Sequence, residues 1–283
     1  MGNSKEKKTD WLRIIEIAIA TVACVAAIVV IPEVRERMGS KENEIQSTNT
    51  PENSKLEQEQ GIPTVTPTTA PDLAPPYDDF NDEQYDNSFN SALWEQTGTQ
   101  HVDIEQRNEV LVFSTNNFPD GGSVGMAPVD AGTWSLEKTS VIGAKLRLDS
   151  SRRGQGSFIN ISTYADLSGR DWWTECMLNN SESEHTLFFC DIHSGEQAEN
   201  GEPIFEYQTR GINGNYDEWY TVKIIINPNT AEFSFYLNDK LLGSHTPEDA
   251  HLLKEASFYP RIGSWANSED QFIGYFDDVR FGQ

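Results

Sequence analysis

Three observations predict an all-β fold for residues 77–283, a two-sheet antiparallel sandwich, preceded by one transmembrane helix and a disordered linker. About eleven short runs after Tyr77 alternate apolar with polar residues and are rich in Val, Ile, Phe, Tyr, Trp and Thr, the pattern of half-buried strands. Turn formers punctuate them, among them Pro119-Asp120-Gly121-Gly122, Arg153-Gly154-Gln155-Gly156, Asn213-Gly214-Asn215, Asn227-Pro228-Asn229 and Asn238-Asp239. No long segment of this region carries a helical apolar period, and only Leu252–Ala256 suggests a single turn.

Read from the N-terminus, residues 1–10 are a short tail with Lys5, Lys7 and Lys8. Residues 11–32 are an apolar run in which Ile17–Ile31 carry no charge. Counted from Ile14 the run reaches 18 residues, about the minimum that crosses a hydrocarbon core as a helix. It continues through Ile28, Val29, Val30 and Ile31 into Pro32 with no small-residue cleavage site, so it predicts an uncleaved anchor rather than a signal peptide. Lys5, Lys7, Lys8 and Arg13 precede the apolar core of this run, whereas Arg35, Arg37 and Lys41 follow it. That bias and the short tail place the N-terminus in the cytoplasm and everything after Pro32 outside, as a single-pass protein of the cell membrane. Residues 33–76 are rich in Glu, Asn, Ser, Gln and Lys and end in a Pro/Thr-rich stretch, which predicts an extended spacer.

The strand runs follow in the order HVDIEQ (101–106), EVLVFST (109–115), SVIGAKLRLDS (140–150), GSFINISTYA (156–165), DWWTECML (171–178), HTLFFCDIH (185–193), PIFEYQTR (203–210), EWYTVKIIIN (218–227), AEFSFYLN (231–238), KLLGSH (240–245) and FIGYFDDVRF (272–281). Cys176 and Cys190 lie on two runs joined by the polar turn Asn179–Glu184, with their midpoint inside that turn. A symmetric hairpin sets them opposite each other, either as a cross-strand disulfide or as two buried thiols. Trp172 and Trp173 are adjacent on one strand and point to opposite faces, so one of them leaves the central core. Phe158, Asn160, Ser162 and Tyr164 share one face of a neighbouring run, and Glu206, Gln208 and Arg210 share one face of another. Tyr164 and Trp173, with Glu206, Gln208 and Arg210, therefore make up a candidate polar-aromatic surface.

The chain has 21 Lys+Arg against 45 Asp+Glu, a formal net charge of −24, which repels a phosphate backbone and excludes a nucleic-acid partner. It contains no Gly-x-Ser-x-Gly elbow, no His-Glu-x-x-His and no phosphate-binding glycine loop.

Tyr77-Asp78-Asp79-Phe80-Asn81-Asp82 followed by Ser91-Ala92-Leu93-Trp94, the turn at Asn108-Glu109-Val110-Leu111, and the closing Phe276-Asp277-Asp278-Val279-Arg280-Phe281 resemble the concanavalin A-like superfamily. That superfamily includes laminarinase- and lichenase-type glucanases and laminin-G-like modules. The resemblance implies a jelly roll whose first and last strands lie close together. The glucanases carry Glu-x-Asp-x-Glu or Glu-x-Asp-x-x-Glu on one strand, and no Glu of this chain has an Asp two residues later. Behind the anchor read from residues 11–32, the resemblance therefore implies an extracytoplasmic glycan-binding module for an extracellular or cell-wall glycan, without the glucanase catalytic motif and with Tyr164, Trp173, Glu206, Gln208 and Arg210 as candidate glycan contacts. Its alternatives are a laminin-G-like module for a surface protein and a divergent glycoside hydrolase. An aromatic groove would mark the first, a flat polar face the second, and a buried carboxylate pair in a cleft the third. The resemblance also implies a structural calcium ion held by Asp79, the Glu109 carbonyl and Asp277.

Overall fold

The computed structural model describes residues 75–98, 102–115, 122–154, 156–167, 170–181, 183–197, 203–266 and 270–282. The predicted tail, the span at 11–32 and the linker up to residue 74 lie outside them, and among the described residues no helix is long and apolar enough to cross a membrane.

Two antiparallel sheets face each other. One runs edge to edge through β1 (Trp94–Gly98), β4 (Gly122–Pro128), β14 (Phe258–Ala266), β6 (Phe158–Asp166), β7 (Asp171–Asn179), β8 (His185–Gln197) and β10 (Ile212–Asn215), with β9 (Pro203–Gln208) also paired to β8. The other runs through β13 (Lys240–His245), β12 (Glu232–Leu237), β11 (Tyr220–Asn227), β5 (Val141–Leu148), β15 (Ile273–Gly282), β3 (Val110–Ser114) and β2 (Asp103–Arg107). The single turn predicted at Leu252–Ala256 begins earlier, as the short helix α1 (Ala250–Leu253).

All of the predicted runs fall on strands, but β1, β4, β10 and β14 do not belong to any of them. These strands are weak in hydrophobic alternation because they carry Gly122, Gly125, Gly214, Gly263, Pro128 and Pro260. A Cβ on Gly263 would stand 3.0 Å from both Asn160 Oδ1 and the Val124 carbonyl, so close approach of neighbouring chains accounts for at least that glycine.

Period-two alternation builds the core between the sheets. Ile142, Ala144, Leu146 and Leu148 of β5, Ile159 and Ile161 of β6, Trp172, Cys176 and Leu178 of β7, and Val222, Ile224 and Ile226 of β11 all point into it. Trp172 meets Phe233 of the opposite sheet at 4.9 Å between ring centroids. Cys176 and Cys190 stand directly opposite in the β7–β8 ladder and are joined by a disulfide on this core side.

The ends of the domain meet. Tyr77 N donates to the Val279 carbonyl at 2.7 Å, and Val279 N donates to the Asp78 carbonyl at 3.0 Å. The Asp78 carboxylate accepts from Phe80 N at 2.9 Å and from Trp94 Nε1 at 2.6 Å, while Tyr77 Oη donates to the Leu93 carbonyl at 2.8 Å. Tyr77, Trp94, Trp134 and Phe281 pack edge to face around this junction, and Phe80 and Phe276 belong to the same core.

Two outcomes follow for stability. A Cβ on Gly274 of β15 would lie 2.3 Å from Cγ2 of Ile159, a fully buried and β-branched side chain of the facing sheet. Gly274→Ala should therefore cost about 1–3 kcal/mol and lower Tm by roughly 2–10 °C in a thermal melt, and an unchanged Tm would contradict this packing. The disulfide spans 14 residues of sequence, so replacing both cysteines by Ser should cost about 2–4 kcal/mol in a denaturant titration. The chain has three cysteines; the denatured protein should expose one thiol before reductant and all of them after it, and equal counts would exclude the bond.

Candidate functional site

The face of the eight-stranded sheet turned away from the core is organised in rungs by the antiparallel registers. Directly paired residues share a face, so reading across β14, β6, β7, β8 and β9 lists side chains that lie side by side. One rung is Tyr259, Tyr164, Trp173, His193 and Phe205. The next is polar throughout: Arg261, Ser162, Glu175, Asp191 and Gln208. Beyond it runs Gly263, Asn160, Met177 and Phe189, and two residues further along β14 and β6 Trp265 pairs with Phe158. Phe158, Met177, Phe189 and Trp265 form an apolar cluster separate from the main core. A polar rung thus crosses the strands between two aromatic ones.

Trp173 anchors the first rung. Its ring lies 5.1 Å from Tyr164 and 6.3 Å from His193, in a near-parallel stack, and the Arg261 guanidinium stands 4.9 Å from its centroid. Arg261 Nε donates to Ser162 Oγ at 3.2 Å, and Tyr164 Oη donates to Asp171 Oδ1 at 2.6 Å. Tyr164, Arg261 and Phe205 are half-buried and Gln208 is exposed, so they form the rim, whereas Trp173 is buried.

At the centre, Glu175, Asp191 and His193 are 3%, 0% and 8% exposed, and one ligand-type atom from each lies within 4.8 Å of the others. The three could hold a metal ion. His193 Nδ1 meets Asp191 Oδ1 at 3.1 Å, and Asn160 Nδ2 donates to Glu175 Oε2 at 2.5 Å. Burial first, and then the charge of Asp191, pushes the Glu175 carboxyl up to about 7. Burial opposes the charged form of His193, but the hydrogen bond and charge of Asp191, with the charge of Glu175, outweigh it and hold the imidazole above its ordinary value. Burial lowers Arg261, and the nearby Glu175 charge works against that shift.

Of the predicted glycan contacts, Tyr164, Trp173 and Gln208 share this face and Glu206 does not. The β8–β9 register shifts between Ile192 and His193, which takes Glu206 out of the alternation. Its carboxylate turns instead to His245 Nε2 at 3.2 Å and accepts from Glu248 N at 2.5 Å. Arg210 follows the end of β9 and is exposed.

The predicted calcium ligands are already committed. Lys145 Nζ lies 3.2 Å from Asp277 and 2.5 Å from Asp278, so an ammonium balances the pair of acids on the closing strand. Asp79 accepts from Asn81 N at 3.4 Å, and Glu109 occupies the two-residue turn between β2 and β3 with φ 63°. Among the described residues, no group of three potential side-chain ligands includes Asp79, Glu109 or Asp277.

Glu175, Asp191, His193 and Arg261 escaped the sequence reading because a search for carboxylates along one strand cannot detect a pair across two. One signal was present. Once Cys176 faces Cys190 in an antiparallel hairpin, Glu175 must face Asp191, and His193, two residues on, shares its side of the sheet.

No family model matches this chain, and no curated protein does. Solved structures of similar fold include a laminarinase from Flavobacterium sp. UMI-01, with a TM-score of 0.53 and 11% identity over 73% of this chain and 98% of that one. LamAcat from Zobellia galactanivorans has a TM-score of 0.51 and 12% identity over 73% and 96%. LamA from that organism, in complex with laminaritriose and laminaritetraose, has a TM-score of 0.51 and 11% identity over 73% and 97%. At these identities the likeness is one of fold alone: the described part of the chain is a two-sheet antiparallel sandwich like theirs.

Proposed function

We propose that the jelly roll is a glycan-binding module whose ligand lies along the polar rung of the eight-stranded sheet, held outside the cell by the anchor at residues 11–32. The observation that carries this reading is the sequence of rungs: hydroxyl-bonding Arg261, Ser162, Glu175, Asp191 and Gln208 lie between the Trp173 rung and the Trp265 rung. Pyranose rings present apolar faces ringed by hydroxyls, and alternating stacking and polar strips match that pattern. The rim residues Tyr164, Arg261 and Gln208 are what a sugar meets first.

Glu175 and Asp191 are a buried carboxylate pair, and with Glu175 raised to about 7 they keep a divergent glycoside hydrolase as the second reading. Retaining glycosidases hold their carboxyl groups about 5–5.5 Å apart and inverting ones about 6.5–9.5 Å, to leave room for the anomeric carbon or a water. One oxygen of Glu175 and one of Asp191 lie within 4.8 Å of each other.

Laminaritriose and laminaritetraose are the first ligands to test, because a fold neighbour is described bound to them. Calorimetry on the full chain, preceded by a glycan array, should find saccharide binding that Trp173→Ala weakens about 10-fold or more. Gln208→Ala should weaken it only a few-fold, while Glu206→Ala should leave it unchanged. Absence of any array signal, or a Trp173→Ala protein that folds and binds normally, would refute the site. Release of reducing ends from a glucan would replace binding by hydrolysis as the function.

A further inference from the structure

We propose that Glu175, Asp191 and His193 bind a divalent first-row metal ion, zinc foremost, between β7 and β8 at the centre of the polar rung. The three side chains are more than nine-tenths buried, and their ligand atoms converge within 4.8 Å. Two carboxylates placed opposite each other, away from bulk water, repel unless a cation or proton lies between them.

Two unsatisfied atoms point independently to a missing partner. Asp191 Oδ2 is buried with no hydrogen-bond donor, although Oδ1 of the same carboxylate meets His193. Asn160, whose amide nitrogen holds Glu175, leaves its own Oδ1 buried and unpartnered. Buried acceptors in folded proteins are almost always satisfied, so two of them around one cluster call for a donor or a cation.

The donor set selects the metal class. Imidazole with carboxylates suits zinc, manganese or iron, whereas calcium and magnesium favour oxygen donors alone. Three protein ligands leave a coordination position open, as in zinc sites that also take a water or substrate oxygen. Asn160 steadies Glu175 from outside the ligand set, the usual arrangement around a metal-binding carboxylate. The disulfide behind the cluster holds β7 and β8 in the register that brings the ligands together. This inference shares a face with the glycan reading but does not depend on it.

The test uses the full chain stripped with EDTA and titrated separately with Zn2+, Mn2+, Ca2+ and Mg2+ by calorimetry and thermal melting. One equivalent of Zn2+ should bind, and at about a hundredfold excess over Kd it should raise Tm by roughly 5–10 °C, with little effect from Ca2+ or Mg2+. Asp191→Asn and His193→Gln should each abolish the shift, and Asp277→Asn should keep it. Should either variant fail to fold, the wild-type protein loaded with Co2+ still decides, because a site with imidazole and carboxylate donors gives visible ligand-field absorption that aqueous Co2+ at the same concentration does not match. Failure of the stripped wild type to bind any of the four ions would overturn the proposal, as would Zn2+ binding that survives both substitutions. Saccharide binding by the stripped protein separates failure of the metal from failure of the glycan site.

Discussion

The pairing of β7 with β8 governs both sides of the eight-stranded sheet. A single antiparallel register sets Cys176 against Cys190, Glu175 against Asp191 and Trp173 against His193. Because side chains alternate, the first pair enters the core and the other two face away from it. A slip of one residue would send the carboxylates into the apolar interior and the disulfide to the outside. The covalent bond on one face therefore defends the geometry of the polar cluster on the other, although it touches no ligand itself.

That cluster is electrostatically demanding. Glu175 and Asp191 are buried at the middle of a sheet with His193, Arg261 and Asn160 around them. Nothing in core stability requires two acids there, since hydrophobic residues of similar size would avoid the desolvation cost. The group lies beside the Trp173 rung, on a face of the sandwich not spent on sheet-to-sheet packing, and buried groups with such shifted titration concentrate at functional sites.

The far edge of the sandwich is handled differently. Where the two ends of the domain meet, Asp78 is consumed by the Phe80 amide and the Trp94 indole, and Lys145 lies between Asp277 and Asp278. The opening and closing motifs thus perform a joining role with hydrogen bonds, an ammonium and a ring of aromatic side chains. Asp277, which the family match assigns to an ion, here meets a neighbouring lysine.

Alternation and turn chemistry in the sequence by themselves determined the all-β class, the inward-facing core residues and the opposition of the two cysteines. Each of these depends on local periodicity or on a short hairpin. They also placed Trp173 and Tyr164 on one polar-aromatic surface, because strand parity is a local property. Four strands were not legible, since the glycines and prolines of β1, β4, β10 and β14 suppress the hydrophobic pattern where neighbouring chains pack closely. Glu206 was misplaced because a bulge in β9 breaks the parity that assigned its face. Tertiary structure alone decided that Arg261, about seventy residues from β8 in sequence, crosses β14 beside Ser162 and reaches Trp173. Strand order across a sheet is set by long-range packing, and no local pattern of residues carries it.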